Sequence, residues 1–174
     1  LQEVQITVQP FVEGPAKAMQ GHAAASHEPF ESDLRVLIAD DGQTNRRLLR
    51  RAFTGFFGQG WSVTEATTAE EALVLAIDTE FGLIVMDEIF APGLVRGSAA
   101  IITLRAREAA QTGPRRRAVI VSCTGNALSS LVDLKNSGAD LVWGKPMPNF
   151  TNNEMQNELA PYLAASRARS AACI

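Results

Sequence analysis

Acidic residues directly follow two apolar segments of the sequence. Asp40 and Asp41 come after "RVLIA", and Asp87 comes after "GLIVM". Each of two adjacent carboxylates raises the cost of ionising the other unless a positive charge lies between them. Magnesium supplies such a charge, because it prefers hard oxygen ligands and keeps several bound waters. An aspartate can also act as a nucleophile and form an aspartyl-phosphate. The residue types therefore indicate magnesium-dependent phosphoryl transfer onto an aspartate.

Two further polar residues end apolar segments and fit the same chemistry. Thr124 ends "AVIVSCT", and Lys145 ends "LVWGK". A hydroxyl and an ammonium group can hold phosphoryl oxygens as negative charge develops on them. For Thr124 the alternative is a cap at the start of the helix that follows.

The segments that carry these residues alternate between two types. Short, continuously apolar segments are typical of strands buried on both faces, and amphipathic segments separate them. Strands are predicted in "LRVLIAD", "WSVTEA", "FGLIVMD", "RAVIVSCTG" and "DLVWGKP". The alternation predicts an α/β fold, a parallel sheet covered by helices on both sides with right-handed connections. Ligands bind at the carboxyl ends of such strands, so we expect the polar residues to meet there.

Several helix ends carry specific signals. Thr68 with Glu71 forms a capping-box pattern, and so does Thr151 with Glu154. The fourth helical segment, "NALSSLVDLKNSGA", should stop at its glycine, Gly138. A proline, Pro161, lies inside the last helical pattern and predicts a kink or a break there.

The first helical segment has one apolar and one basic face. The apolar residues are Leu48, Leu49, Ala52, Phe53 and Phe56, and the basic residues are Arg46, Arg47, Arg50 and Arg51. We interpret the arginines as a solvated face, with a docking surface for a phosphodonor as the alternative. The nearby Asn45 is interpreted as an ordinary polar residue of the first helical turn, with a position beside the site as the alternative.

Taken together, the motifs resemble the receiver domain of two-component response regulators. They are "IADD", "IVMD", "SCTGNA" and "WGKP", within Leu34 to about Leu163, and "DDGQTNRR" is most similar to receivers of hybrid histidine kinases. The resemblance implies a flavodoxin-like, doubly wound, five-stranded parallel sheet of order 2-1-3-4-5 with five helices. It also implies a cis Lys145–Pro146 bond, and a histidine kinase or histidine phosphotransfer protein as the partner.

The resemblance implies a role for each residue of the predicted site. Asp87 would be the phosphoacceptor. Asp41 would bind Mg²⁺ directly, Asp40 would bind it through water, and Ile89 would supply a backbone carbonyl to the metal. The phosphoryl group would be contacted by Thr124 and Lys145.

Two places depart from the family pattern. Phe90 and Ala91 stand where Met-Pro is usual, and Gly97 comes late, which predicts a longer loop of altered shape after the third strand. Val142 stands where an aromatic residue is usual, and Trp143 follows it. Side chains alternate along a strand, so Val142 and Trp143 should point to opposite faces.

Composition limits the other possibilities. The 174 residues suit one domain with some additional chain, and the net charge of −3 argues against a general nucleic-acid binder. The apolar runs are too short to cross a membrane, so we expect no membrane contact. Cys123 and Cys173 form no disulfide or zinc pattern, which favours a reducing, cytoplasmic compartment. We expect an N-terminal extension or linker at 1–33, a receiver domain at 34–165 and a C-terminal tail at 166–174.

The N-terminal extension contains two different stretches. "VQITVQPFV" alternates like an edge strand, and could equally be the last strand of a preceding domain. "EGPAKAMQGHAAASHEP" has the composition of a flexible linker. The first residue is Leu1 rather than Met, which favours a fragment of a longer protein such as a histidine kinase, and no secretion signal is visible.

Three functions of different class remain open. The first is a phosphoacceptor receiver in a His-to-Asp phosphorelay, with no enzymatic activity beyond Mg²⁺-dependent self-phosphorylation on Asp87 and autodephosphorylation. The second is a degenerate receiver that binds partners without phosphorylation. The third is an aspartate-nucleophile phosphatase of the haloacid-dehalogenase kind. That family needs a second aspartate two residues after the nucleophile, and Ile89 stands in that position here.

Overall fold

A computed structural model describes the fold over residues 30–112 and 116–171. Five strands alternate with five helices along these residues. The strands are β1 (Arg35–Ala39), β2 (Ser62–Ala66), β3 (Leu83–Asp87), β4 (Val119–Thr124) and β5 (Leu141–Gly144). The helices are α1 (Gln43–Gly55), α2 (Ala69–Asp78), α3 (Gly97–Ala110), α4 (Ala127–Asn136) and α5 (Glu154–Ala171). Within the described ranges no helix has the length and apolar character needed to cross a membrane.

The predicted strand and linker at the N-terminus lie outside the described residues, because the description begins at residue 30. Cys173 also lies outside them. The remaining cysteine, Cys123, is buried in β4 with a free thiol.

The strands form one parallel sheet in the order β2-β1-β3-β4-β5. This flavodoxin-like, doubly wound arrangement confirms the predicted fold class and strand order. The direction in which strands are added reverses between β1 and β3, since β2 lies on one side of β1 and β3 on the other. In such sheets the crevice at the carboxyl ends next to this reversal is the usual place for a ligand.

Separate apolar cores cover the two faces of the sheet. One core joins Leu49 and Phe53 of α1 to Leu159 of α5. The other joins Ala72 of α2 to Ile101 of α3. Full burial of a leucine, isoleucine or phenylalanine side chain contributes about 1.5–3 kcal/mol each, so these helices hold the sheet from both sides. Leu48 and Phe56, predicted on the apolar face of α1, are instead exposed.

The two departing residues of β5 point to opposite faces, as the alternation predicted. The side chain of Trp143 is 1% exposed and lies in the core between the sheet, α1 and α5. Its indole N–H donates a hydrogen bond to a carboxylate oxygen of Glu158 at 2.7 Å. Val142 lies opposite Ser122 of β4 and is only partly buried. The aromatic residue is therefore committed to the α5 side of the sheet.

Two of the predicted helix ends are present as expected. The hydroxyl of Thr68 accepts a hydrogen bond from the backbone N–H of Glu71 at 3.1 Å, and the Glu71 carboxylate accepts one from the N–H of Thr67. Gly138 follows α4 with a φ of +103°, a conformation that glycine adopts without steric cost.

The predicted capping box of the last helix is wrong. α5 begins at Glu154, and the side-chain oxygen of Asn152 accepts a hydrogen bond from the Glu154 N–H at 3.1 Å. Thr151 instead donates its own N–H to the side chain of Asn149 at 2.8 Å. An asparagine side chain readily accepts a hydrogen bond from the backbone two residues on, and both asparagines do so here.

Of the kink or break predicted at Pro161, the break is wrong, because α5 runs without interruption from Glu154 to Ala171, while the kink stays a prediction. Leu159 and Leu163, on either side of the proline, are buried against the sheet. These contacts hold the helix in place although the proline lacks an N–H donor. α5 also continues past residue 165, and buried Ser166 donates a hydrogen bond to the carbonyl of Arg117 at 2.6 Å.

The late glycine of the β3–α3 loop has a steric role. Gly97 opens α3, and its N–H donates to the carbonyl oxygen of Glu88 at 3.1 Å. A Cβ atom at Gly97 would collide with the carbonyl oxygen of Asp87. The chain therefore needs a residue without a side chain where α3 starts beside the end of β3.

We expect Gly97→Ala to lower the free energy of unfolding by about 1–3 kcal/mol, because the added carbon overpacks this contact. Gly55→Ala is the matched control, since nothing lies within 4 Å of a Cβ added there. At this last residue of α1, alanine should be neutral or stabilising by up to about 1 kcal/mol. Urea unfolding of both variants measures the difference, and equal stabilities would contradict the steric role.

Candidate functional site

The structure brings together the three aspartates that the sequence placed at strand ends. Asp40 follows β1 and Asp87 ends β3, and with Asp41 they each offer a carboxylate oxygen within 4.8 Å of the others. Asp40 is 2% exposed and Asp87 is 3% exposed, whereas Asp41 is open to solvent. The three carboxylates form an acidic pocket at the carboxyl edge of the sheet.

Lys145 brings its ammonium group between the two buried carboxylates. Its Nζ atom lies 2.7 Å from Oδ2 of Asp87 and 3.1 Å from Oδ2 of Asp40. β5 ends at the residue before it, and the Lys145 N–H donates to the carbonyl of Thr124 at 3.1 Å. The Lys145–Pro146 bond is cis, as the resemblance implied. One positive charge is thus shared by two buried negative groups.

This arrangement shifts the pKa of both Asp87 and Lys145. Burial raises the pKa of Asp87, the Lys145 hydrogen bond opposes that effect, and the nearby Asp40 charge adds to it. Burial lowers the pKa of Lys145, but its hydrogen bond to Asp87 and the two carboxylate charges outweigh burial, so the pKa rises. Lys145 therefore stays protonated and supplies a permanent positive charge to the pocket.

The two neighbouring aspartates, Asp40 and Asp41, differ in how many protein donors they meet. Oδ1 of Asp40 accepts a hydrogen bond from the N–H of Gly42 at 2.7 Å. The side-chain amide of Asn45 lies 3.1 Å from Oδ1 and 3.0 Å from Oδ2 of the same carboxylate, so Asn45 lies beside the site and its interpretation as an ordinary polar residue is wrong. No residue in the described part of the chain donates a hydrogen bond to the Asp41 carboxylate. Asp41 therefore has free lone pairs, whereas those of Asp40 are largely used.

Thr124 lies at the end of the neighbouring strand, as predicted. It is buried, and its hydroxyl oxygen accepts a hydrogen bond from the N–H of Asn126 at 3.2 Å. Asn126, not Thr124, occupies the capping position of α4. A hydroxyl that accepts one hydrogen bond keeps its own hydrogen for donation. Ile89 lies in the β3–α3 loop with a 59% exposed side chain, and the metal-binding role of its carbonyl stays a prediction.

Glu88 is a residue that the sequence reasoning missed. It follows Asp87, is buried, and accepts hydrogen bonds from the N–H and hydroxyl of Ser98 at 2.8 Å and 3.0 Å. Its carboxylate thereby lies at the start of α3, where the helix dipole favours negative charge. The same loop is held at Val95, whose N–H donates to Glu70 at 2.9 Å. A Glu followed nine residues later by a helix start was the available signal, but it is not specific.

The interpretation of the α1 arginines as a solvated face is wrong for Arg46. Its side chain is only 12% exposed, and Nη1 donates to the carbonyl oxygens of Asp40 and Asp41 at 2.7 Å and 3.0 Å. Arg46 and the more exposed Arg50 both pair with Glu65 of β2. Glu65 lies beside Ile38 of β1 in the sheet, so its ion pair with Arg46 places that arginine next to the acidic pair.

Solved structures similar to this chain include receiver domains of response regulators. A CheY-like receiver domain protein from Methanospirillum hungatei is 22% identical with a TM-score of 0.63, and the match covers 79% of this chain and 98% of that one. A response regulator receiver protein from Pseudomonas putida is 25% identical with a TM-score of 0.57, covering 74% and 98%. A chain of the CheX–CheY–BeF3–Mg²⁺ complex from Borrelia burgdorferi is 19% identical with a TM-score of 0.59, covering 74% and 89%.

No protein-family model and no curated protein matches the sequence. The structural likenesses show that this chain has the fold of CheY-like receiver domains, with an acidic pocket at the carboxyl edge of its sheet.

We expect Glu88→Ala to lower the free energy of unfolding by about 1–3 kcal/mol, because it leaves the half-buried donors of Ser98 without their acceptor. Asp78→Ala is the control, since Asp78 is exposed at the last residue of α2. Removing a negative charge at a helix C-terminus should be neutral or slightly stabilising. Chemical denaturation tests both variants. A Glu88→Ala protein as stable as the control would show that the carboxylate does not hold the loop.

Proposed function

We propose that the chain is a phosphoacceptor receiver domain that takes a phosphoryl group on Asp87 in a His-to-Asp phosphorelay. One observation carries the proposal: the Lys145 ammonium is shared by Asp87 and Asp40, while the Asp41 carboxylate beside them accepts no hydrogen bond from any described residue. A buried nucleophile, a fixed positive charge and a free metal ligand are the parts that such a transfer requires. The receiver fold of the chain supports the same function.

In the proposed phosphoryl transfer, Asp87 is the nucleophile and two neighbouring residues hold the phosphoryl oxygens. An oxygen of Asp87 forms a bond to phosphorus while the bond from phosphorus to the donor's histidine nitrogen breaks, and the electron pair of that bond leaves with the nitrogen. Lys145 already lies 2.7 Å from the Asp87 carboxylate, so its ammonium can hold a phosphoryl oxygen. The hydroxyl of Thr124 has a hydrogen to donate to a second one.

Magnesium fits the acidic pocket by the chemistry of its donors, which are hard oxygens. Asp41 and Asp87 would bind it directly. Asp40 would act through water, because protein donors already occupy its lone pairs. The carbonyl of Ile89 would complete the protein ligands. When bound, the cation neutralises charge on the transferring phosphoryl group.

Asp87→Ala should abolish phosphorylation by phosphoramidate in the presence of Mg²⁺, because the nucleophile is gone. Intact-mass measurement should show one added phosphoryl group on the wild-type chain and none on the variant. Asp41→Ala should still be phosphorylated, but only at a much higher magnesium concentration, because its main side-chain ligand is lost.

The added group should be lost on treatment with hydroxylamine, which cleaves acyl phosphates. An acid-stable mass gain that persists in Asp87→Ala would contradict the proposal. A wild-type chain that gains no phosphoryl group would favour the degenerate receiver, which binds partners without phosphorylation. Steady release of phosphate from many donor molecules would favour the phosphatase.

The proposal also names a class of partner. The phosphodonor would be a histidine kinase or a histidine phosphotransfer protein, and the "DDGQTNRR" motif supports a hybrid histidine kinase as the source of the domain. α1 begins beside the acidic pair and exposes Arg47, Leu48 and Arg51. This exposed face of α1 is the surface that we propose for donor docking. A cytoplasmic location and a domain spanning residues 34–165 belong to the same proposal.

Phosphorylation should shift the active-site loops much more than β5. Trp143 is held by the α1–α5 core and by Glu158, and Val142 is too small and too stiff for a large rotation. Amide and indole chemical shifts with and without beryllofluoride test this. We expect large changes in residues 88–97 and after Thr124, and small ones at Val142 and the Trp143 indole. A large indole shift would show that the aromatic residue takes part in the switch.

A further inference from the structure

Residues in the first turn of α1 donate hydrogen bonds to the acidic pair, Asp40 and Asp41. The side-chain amide of Asn45 donates hydrogen bonds to both carboxylate oxygens of Asp40, at 3.1 Å and 3.0 Å, and so fixes the orientation of that carboxylate. With Lys145 on Oδ2, the Asp40 carboxylate is held from two directions. This turn is itself anchored, because the N–H of Arg46 donates to the carbonyl of Gly42 at 3.1 Å.

The backbone of the pair is held by the next residue along the helix. Nη1 of Arg46 donates to the carbonyls of both Asp40 and Asp41, while its Nε atom donates to Glu65 at 3.1 Å. Arg50 lies one turn further, is 47% exposed and contacts Glu65 alone. Only one of the two arginines therefore reaches the acidic pair, although both share the same carboxylate.

We propose that Asn45 and Arg46 are positioning residues for the metal site. Asn45 turns the Asp40 carboxylate toward Lys145, and Arg46 fixes the two carbonyls so that the Asp41 side chain points to the open side of the pocket. The inference rests on the proposed function. In this proposal Arg46 supports the backbone of Asp41, the direct metal ligand, and Asn45 supports the carboxylate of Asp40. A fully solvated helix face would provide neither support.

The sign of the change in magnesium affinity separates a positioning role of Arg46 from plain charge repulsion. Arg46 carries a positive charge close to a pocket that would hold a dication, so Coulomb repulsion alone predicts tighter magnesium binding when the charge is removed. A positioning role predicts the opposite, because the backbone that presents Asp41 loses its two hydrogen bonds. Arg46→Lys sharpens the comparison, since it keeps the charge but loses the planar fork.

The test is a Mg²⁺ titration followed by the amide chemical shifts of Gly42 and Glu88. We expect Arg46→Gln, Arg46→Lys and Asn45→Ala each to weaken the apparent magnesium affinity by about tenfold or more, as loss of a ligand's supporting partner typically does. The matched controls are Arg50→Gln for the arginine and Gln43→Ala, an exposed residue of the same turn, for the asparagine. The controls should stay within about twofold of the wild type, because exposed ion pairs contribute little.

A second readout excludes a general loss of structure. At saturating Mg²⁺ each variant should recover the wild-type rate of phosphorylation by phosphoramidate, so that only the magnesium requirement changes. If one arginine variant does not fold, Asn45→Ala decides the question together with the other arginine variant.

Unchanged or tighter magnesium binding in the Arg46 and Asn45 variants would overturn the inference. A wild-type chain that binds Mg²⁺ but takes no phosphoryl group would refute the proposed function, while weakened binding in the variants would still support the positioning role. A wild-type chain that binds no Mg²⁺ would overturn both.

Discussion

Three carboxylates at one sheet edge, with one ammonium group between them, are the constraint on which the rest of this structure depends. The parallel sheet brings the ends of β1 and β3 side by side, so Asp40, Asp41 and Asp87 cannot move apart. Lys145 balances one of their three charges. The remaining repulsion is tolerable only with further positive charge, and the neighbouring hydrogen bonds determine which oxygens remain free to receive it.

A fourth carboxylate, Glu88, lies immediately beside this cluster and yet belongs to a different structure. Its oxygens face Ser98 at the start of α3 and not the pocket. The fold separates adjacent acidic residues by the donors it offers them: backbone and amide N–H groups for Asp40, a helix start for Glu88, and solvent for Asp41. Three neighbouring carboxylates thus have three different sets of partners, although the carboxylate group itself is the same in each.

The strand ends were predictable from the sequence, because apolar runs that stop at a polar residue report the edge of a buried parallel sheet. That rule placed the aspartates, Thr124 and Lys145 correctly. It could not find Arg46, whose role depends on Glu65, a residue 19 positions away on a strand whose neighbour is known only from the fold. Helix periodicity predicts only the face of α1 on which Arg46 lies. That face borders both solvent and the acidic pair, so the sequence does not show which of the two the side chain contacts. The capping box predicted at Thr151 fails for a different reason, since the neighbouring Asn149 and Asn152 side chains accept the hydrogen bonds from the backbone there.

The position of the aromatic residue in β5 determines how a signal could leave the site. A side chain that moves with Thr124 must share its face of the sheet, and on that face β5 carries Val142, which lies opposite Ser122 of β4. Trp143 is buried on the other face, where its hydrogen bond to Glu158 would have to break before it could turn. By contrast, the β3–α3 loop touches the site through the backbone of Glu88 and reaches α2 through Val95 and Glu70. The shortest mechanical route away from Asp87 therefore runs through this loop to α2 and α3. Under the proposed function, such a domain would pass on a phosphoryl group, with the change in shape confined to that side of the molecule.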